Sequence, residues 1–338
     1  MFMMRAAVLA HYPAVARQLG LDPVAMLREV GIASGLMDKP DGLLPGDAVV
    51  RLLQNSAVRS GCATVGLRMA ELRRLSDFGV TSLLLSQQRT VRDALRMAIQ
   101  YLHLMNESLV LHLEETADTA ILSEEVLINA PIPITQTVEI AMAANVQLCR
   151  SILGDNWRPR RVFFRHSAPG SLELHRRVFG CPCEFDSDLN GMSCPLADLD
   201  RVNPAADPQM ARFAQNFLEM LPRREKGTVC ADARRLIYLY LPLGRATLKQ
   251  VAQGLGLSVR TLQRNLGAAG ESFDSLLNAV REELVPVYLD NPHFGLGHVA
   301  TLLGYSHHSS FTRWFTQRFG VAPDAWRKRR ARDSSDSR

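Results

Sequence analysis

The sequence lacks three features that would place it in large classes of proteins. No apolar run approaches the length that crosses a bilayer, which excludes a membrane-spanning protein. The six cysteines are too sparse and irregular for a disulfide framework, and the cytosol would keep them reduced. The opening residues, MFMMRAAVLAHYP, carry one arginine and a short apolar run but no small-residue cleavage site. We therefore expect a cytoplasmic protein without a membrane partner.

Three short signatures of catalysis or nucleotide binding are also missing. The chain has no G-x-S-x-G, no P-loop and no H-E-x-x-H. The run GLGHVA, residues 295–300, matches a dinucleotide fingerprint in form. It follows a turn rather than a strand, so the context that binds phosphate is absent. The sequence thus predicts neither an enzyme nor a bound cofactor.

What the chain does contain is a core large enough for two domains and an uneven charge. Of its 338 residues, 47% are hydrophobic and 22% are charged, which suits a globular protein. Residues 1–242 carry 26 Lys/Arg and 26 Asp/Glu, whereas residues 243–338 carry 13 and 8. A neutral body with a basic C-terminal third indicates an anionic partner for that third.

The hydrophobic pattern changes along the chain. Helical periods mix with two-residue periods up to residue 205, as in SLVLHLEE and TAILSEEV on either side of a predicted turn. This predicts an α+β domain over residues 1–205. The NPAADP and LPRREKG stretches indicate a linker over residues 206–227, and the pattern that follows predicts an all-α domain over residues 228–330. The polar residues 331–338 are expected to be disordered.

The helical domain contains one motif twice. VAQGLGLSVRTLQRNL begins at Val251, and VATLLGYSHHSSFTRWF begins at Val299. Each copy has a small residue where two helices would cross, a glycine that suits a tight turn, and a serine that can cap the second helix. These residues are Ala252, Gly256 and Ser258 in the first copy and Ala300, Gly304 and Ser306 in the second. The pattern predicts two helix-turn-helix units.

The second helix of each unit combines a buried stripe with a polar face. Leu262 and Leu266 lie four residues apart, as do Phe311 and Phe315, which one buried stripe requires. The outward residues are Val259, Arg260, Gln263 and Arg264 on the first helix and His307, His308, Ser309, Thr312 and Arg313 on the second. If the two motifs were ordinary helical hairpins, these polar residues would only face solvent. The repetition favours DNA, because arginine and glutamine pair with base edges in the major groove.

Residues 228–330 resemble the DNA-binding domain of the AraC/XylS family of transcriptional regulators. The resemblance rests on VAQGLGLSVRTLQRNL, LLNAVREEL, VATLLGYSHHSSFTRWFTQRFG and PDAWR, and the second half carries the family's characteristic signature. It implies two helix-turn-helix units joined by a long helix. The base-reading positions that it implies are Arg260, Gln263 and Arg264 on the first recognition helix and His308, Ser309 and Arg313 on the second.

The N-terminal sequence is similar to one subgroup of that family. FGVTSLLLSQQRTVRDALRMAIQYL and RRVFFRHSAPGSLELHRRVFGCPCEF resemble the effector domain of the ornithine-utilisation and VirS-type regulators. The likeness extends over most of residues 10–205 and implies a domain that senses a ligand and dimerises. Its pocket residues cannot be chosen from the sequence, because apolar pocket linings look like core.

One residue departs from the family pattern. Pro286 lies within REELVPVYL, residues 281–289, where the joining helix should run. A proline there removes a backbone hydrogen bond and clashes with the preceding turn. Two alternatives follow, a kinked helix or a helix that starts near Val285.

The cysteines of the CPC run are a weaker signal. Cys181 and Cys183, with Cys194 and His175 nearby, suggest a zinc or redox site, but the one-residue gap is tighter than a usual zinc knuckle. We interpret these thiols as core residues and predict no metal.

The sequence therefore predicts a transcriptional regulator that binds double-stranded promoter DNA as a homodimer under the control of a small-molecule effector. The resemblance implies activation by contact with RNA polymerase. Two alternatives stay open: a constitutive DNA-binding dimer without a ligand, and a DNA-targeted enzyme such as a repair alkyltransferase. The enzyme would need a cysteine beside a base, and Cys181 shows no such partner.

Overall fold

The computed structural model of the protein describes residues 2–128, 132–220, 229–291 and 294–335, without the side chains of residues 78, 219, 220 and 331–335. The chain divides into two compact units, Met1–Arg223 and Arg224–Arg338. Within the described ranges, no helix is long and apolar enough to cross a membrane.

The N-terminal unit combines helices with short strands. Its helices are α1 (Tyr12–Gln18), α2 (Pro23–Glu29), α3 (Gly46–Ser60), α4 (Val65–Leu72), α5 (Val80–Ser86), α6 (Val91–Tyr101), α7 (Thr135–Leu153), α8 (Glu173–Phe179) and α9 (Pro208–Met220). Its strands are β1 (Met3–Arg5), β2 (Leu43–Pro45), β3 (Leu109–Glu115), β4 (Thr119–Val126), β5 (Arg161–Phe163), β6 (Cys183–Glu184) and β7 (Asn190–Pro195). The α+β class predicted for this part is confirmed.

A five-stranded sheet with the order β3-β4-β7-β5-β6 supports the N-terminal unit. Neighbouring strands are antiparallel except β5 and β6, which are parallel. The predicted hairpin is β3–β4, in which Leu113 faces Leu122 across the pair. Helix α7 contacts β4 and β7 as well as α3 and α4. It is buried on most sides. Val138, Met142 and Val146 form one buried apolar stripe, and the polar residues Gln136, Glu139 and Asn145 are buried as well.

Helix α9 lies within residues 206–227, which the sequence assigned to a linker. Its Ala214 and Leu218 pack against Leu84 and Tyr101 of the N-terminal unit. This part of the predicted linker is therefore a helix attached to a core, because its apolar residues recur at helical spacing. Residues 221–227 lie outside the described part of the chain.

The regular elements of the C-terminal unit are all helices within its described residues. Its helices are α10 (Val229–Tyr240), α11 (Leu248–Gly254), α12 (Val259–Ala268), α13 (Phe273–Leu289), α14 (Leu296–Leu302), α15 (His308–Phe319) and α16 (Pro323–Ser335). The predicted disordered tail over residues 331–338 is wrong for residues 331–335, which continue α16.

The joining helix does not start near Val285. Helix α13 begins at Phe273, continues through Pro286 and ends at Leu289, so that alternative is wrong. Ser272 caps its first turn by accepting a hydrogen bond from the Ser275 N–H at 3.0 Å. The turn after the proline is retained because Tyr288 and Leu289 are buried in the unit.

Glu124 on β4 predicts a measurable effect of pH on stability. Burial raises the pKa of its carboxyl well above the usual range, and the hydrogen bond from Asn145 lowers that pKa by less. The folded protein then holds this proton more tightly than the unfolded chain. Its stability should fall as pH rises above the ordinary glutamate pKa.

Glu124→Gln should reduce this loss, because glutamine stays neutral and can still accept from Asn145. The free energy of unfolding is measured by urea titration between pH 4 and pH 8. Glu173→Gln, at an exposed site on α8, is the control and should leave the pH slope unchanged. Equal slopes in wild type and Glu124→Gln would contradict the assignment.

Candidate nucleic-acid interface

The first helix-turn-helix consists of α11, a tight turn and α12. Val251 and Ala252 are buried on α11, and the predicted glycine turn is confirmed by a φ of 65° at Gly256. The Ser258 hydroxyl accepts the Thr261 N–H at 3.1 Å, so the predicted cap is present as well. Leu262 and Leu266 of α12 form the predicted buried stripe.

The second helix-turn-helix consists of α14, the turn at Gly304 and α15. Gly304 has a φ of 73°, and a Cβ at this position would lie 2.9 Å from the Leu241 Cδ1 atom. Ser306 does not cap α15, contrary to prediction, because the helix begins one residue later than the alignment of the two copies implies. His307 stands at the cap position and makes no side-chain cap bond.

An aromatic cluster holds α15 in place. The rings of Phe315 and Phe319 stack with centroids 4.5 Å apart, and the Trp326 ring of α16 meets Phe315 edge to face at 6.0 Å. Phe311 and Phe315 are fully buried, as predicted. Burial of this side fixes which face of α15 remains in contact with solvent.

All six side chains that the resemblance assigns to base reading lie on exposed positions of α12 and α15. Among the described residues, none of them forms a hydrogen bond or ion pair with another protein group. Arg260, Gln263 and Arg264 are spaced as neighbours on one face of α12, and Ser309 and Arg313 are spaced likewise on α15. The set is Arg260, Gln263, Arg264, His308, Ser309 and Arg313.

Other arginines of the same unit are held by protein groups. Arg318 pairs with Glu282 at 2.6 Å, and Arg234 pairs with Glu283. Arg327 donates to the carbonyl oxygens of Leu289 at 3.0 Å and Phe294 at 2.8 Å. The arginines therefore divide into those that hold helices together and those that are left for a ligand. Arg260, Arg264 and Arg313 belong to the second group.

Lys249 is a further exposed cation, and it was not predicted from the sequence as part of the interface. It lies on α11, and no described group of the protein pairs with it. The sequence did carry one signal, since no acidic residue stands three or four positions away on its helix. A lysine of this kind suits a phosphate rather than a base edge, because its ammonium is a compact point charge.

The joining helix α13 contacts its neighbours through three consecutive charged residues, Arg281, Glu282 and Glu283. The Arg281 Nε–H donates to the Leu303 carbonyl oxygen at 2.9 Å, and its guanidinium carbon lies 4.1 Å from the centre of the Tyr305 ring. Glu282 and Glu283 make the ion pairs with α15 and α10 given above. These contacts connect α13 to α10, to the turn between α14 and α15, and to the second recognition helix α15.

The thiols of Cys181, Cys183 and Cys194 have the wrong acidity for covalent chemistry. Burial raises the pKa of Cys181 to about 11, of Cys183 to about 12 and of Cys194 to about 11. A nucleophilic cysteine needs the opposite shift, toward the thiolate at neutral pH. No cluster of three or more possible metal ligands occurs in the part of the chain that the structure describes.

Two family models match the chain and together span both units. One, described as the arabinose-binding domain of AraC transcription regulators, matches residues 20–203, and the other, a helix-turn-helix domain, matches residues 251–329. The fold and these matches define a non-enzymatic transcriptional regulator with a helix-turn-helix DNA-binding domain. More particularly, the chain belongs to the AraC family.

The chain is also similar to other proteins over nearly its whole length. The chain is 29% identical over 328 residues to the HTH-type transcriptional regulator VirS of Mycobacterium tuberculosis, covering 96% of each. It is 24% identical over 316 residues to the ornithine utilization regulator of Pseudomonas aeruginosa, covering 92% of each. The crystal structure of the regulator CdpR from the same species aligns with 92% of this chain and 97% of its own at 21% identity, with a TM-score of 0.45.

The variant Arg281→Met tests whether Arg281 stabilises the second helix-turn-helix. The change leaves the Leu303 carbonyl without its donor, so the free energy of unfolding of the C-terminal unit should fall by about 1–3 kcal/mol. Arg313→Met is the matched control and should change it by less than about 0.5 kcal/mol. The measurement is urea denaturation followed by the fluorescence of Trp314 and Trp326 in a Trp157→Phe background. Equal losses in both variants would show that Arg281 has no special role.

Proposed function

We propose that this regulator reads promoter DNA with the six exposed side chains of α12 and α15, under the control of a small molecule bound to its N-terminal unit. In this assignment residues 1–205 bind the effector and dimerise, and residues 228–330 bind DNA. The observation that carries it is the division of the C-terminal arginines. Among the described residues, those on the recognition faces form no hydrogen bond or ion pair with the protein, whereas others in the same unit hold helices together.

Each chain places α12 and α15 in successive major grooves on one face of the duplex, about 10 bp apart. The two helices carry different polar residues on similar scaffolds. Arg260, Gln263 and Arg264 read one part of the site, and His308, Ser309 and Arg313 read the other. The effector shifts the equilibrium toward a dimer that is competent to bind DNA, and contact with RNA polymerase in the cytoplasm then activates transcription.

Arg264→Ala and Arg313→Ala should relax base preference at different parts of the operator. An arginine paired with a guanine edge contributes about 1–3 kcal/mol of discrimination. The assay measures the affinity of each variant for operators mutated one base pair at a time. Arg51→Ala, at an exposed site on α3 of the N-terminal unit, is the control and should leave base preference intact. Uniform weakening over all operators would show that Arg264 and Arg313 touch only phosphate.

Lys249→Gln should weaken DNA binding equally for all sequences. Loss of one phosphate contact reduces the slope of log K against log salt concentration by about 0.9. Titrations of full-length protein at several salt concentrations give that slope. Lys39→Gln, at an exposed site of the N-terminal unit, is the matched control. An unchanged slope for Lys249→Gln would remove this lysine from the interface.

A further inference from the structure

A pocket in the N-terminal unit contains polar atoms that the protein itself does not satisfy. The pocket has a volume of about 420 Å³ and lies between α3, the start of α7 and the loop after β5. This volume is within the range of small-molecule sites, which is about 300–1,000 Å³. Its lining includes Gln54 on α3, Glu139 on α7 and His166 in the loop.

Each of these three residues presents a buried atom without a hydrogen-bond partner. The atoms are Gln54 Oε1, Glu139 Oε2 and His166 Nε2. The Glu139 side chain is fully buried, with 0% of its surface exposed. A buried polar group that lacks a partner costs about 1–3 kcal/mol, and more when it is charged. Three such atoms along one pocket therefore favour binding of a group that can satisfy them.

The hydrogen-bond geometry makes His166 an acceptor as well. Its Nδ1 atom lies 3.1 Å from the Ser167 carbonyl oxygen, which can only accept, so Nδ1 carries the proton. Burial lowers the pKa of His166, which favours the neutral ring with a bare Nε2. All three unsatisfied atoms thus accept hydrogen bonds.

The other oxygen of Glu139 is already occupied. Its Oε1 atom accepts a hydrogen bond from His175 Nε2 of α8 at 2.7 Å, and this hydrogen bond holds the carboxylate in place. Oε2 is left for another donor. Neither lysine nor arginine occurs among the residues that line the pocket in the described part of the chain. The site therefore offers a carboxylate and further acceptors. Among the described residues, His166, whose Nε2 atom lies 3.6 Å from Glu139 Oε1, and His175 contact this carboxylate, and they balance its charge only when they are protonated.

We propose that this pocket binds a small molecule through a primary ammonium group. An ammonium has three N–H donors, no acceptor and one positive charge, which matches three acceptors of which one is a carboxylate. The inference rests on the proposed control by an effector and adds to it the site and the chemical class of that effector. Glu139 provides the charge, while Gln54 and His166 provide direction.

The test measures binding of simple probes to the full-length protein without DNA. Ligand-observed NMR or calorimetry compares n-butylamine, which is protonated at pH 7, with 1-butanol and with tetramethylammonium. The alcohol lacks the charge, and tetramethylammonium has the charge but no N–H donor. Butylamine should bind about tenfold or more tightly than either. Equal binding of butylamine and either reference compound would overturn the proposal.

Variants locate the binding in this pocket. Glu139→Gln should weaken butylamine binding about tenfold or more, since it removes the charge while keeping the shape. Gln54→Leu should weaken it several-fold, and because it does not touch the buried Glu139–His175 pair, it keeps the test decisive if Glu139→Gln does not fold. Gln18→Leu, at an exposed site on α1, is the control. Butylamine binding that survives both pocket variants would overturn the assignment.

Operator binding separates this proposal from the broader one. Full-length protein that binds butylamine in the pocket supports the site whatever it does to DNA. Full-length protein that fails to bind any promoter fragment counts against the proposed function alone. Operator affinity that responds to butylamine in wild type and not in Gln54→Leu would support both.

Discussion

The hydrogen bond from the Arg281 guanidinium to the Leu303 carbonyl connects the joining helix to the turn of the second helix-turn-helix. Leu303 follows α14 directly, so this bond satisfies a carbonyl that the end of the helix leaves free. The same guanidinium covers the Tyr305 ring at the start of the path into α15. With Glu282 and Glu283 beside it, one turn of α13 contacts α10, the α14–α15 turn and α15. These contacts therefore attach the second helix-turn-helix to the joining helix.

Pro286 shows how tertiary burial can outweigh local preference. A proline inside a helix costs about 3 kcal/mol through its missing N–H and its clash with the preceding turn. Burial of a large apolar side chain contributes about 1.5–3 kcal/mol. Val285, Tyr288 and Leu289 are all at most 1% exposed, so burial around the proline offsets its cost. Arg327 then donates to the Leu289 carbonyl at the end of α13 and stabilises the last turn further.

The repeated motif made most of the C-terminal unit predictable, since its small residues, glycine turns and apolar stripes each follow from local geometry. The predicted cap at Ser306 is absent because the turn of the second helix-turn-helix is one residue longer than the turn of the first. An alignment of the two copies does not show this difference. Helix α9 was not predicted, because the prolines at 204 and 208 suggested a linker and outweighed the amphipathic pattern of the residues that form the helix. The pocket could not have been predicted at all. Gln54, Glu139 and His166 are far apart in sequence, and only the packing of α3, α7 and the β5 loop brings them to one cavity.

The two turn glycines, Gly256 and Gly304, differ in how well another residue would be tolerated in their place. Gly256 has open space where a Cβ would stand, so another residue there would bear only the strain of a positive φ, which asparagine tolerates best. At Gly304 a Cβ would in addition lie 2.9 Å from the Leu241 Cδ1 atom, so a substitution there bears the same strain and also displaces the end of that side chain. The turn of the second helix-turn-helix is therefore less tolerant of substitution than the turn of the first.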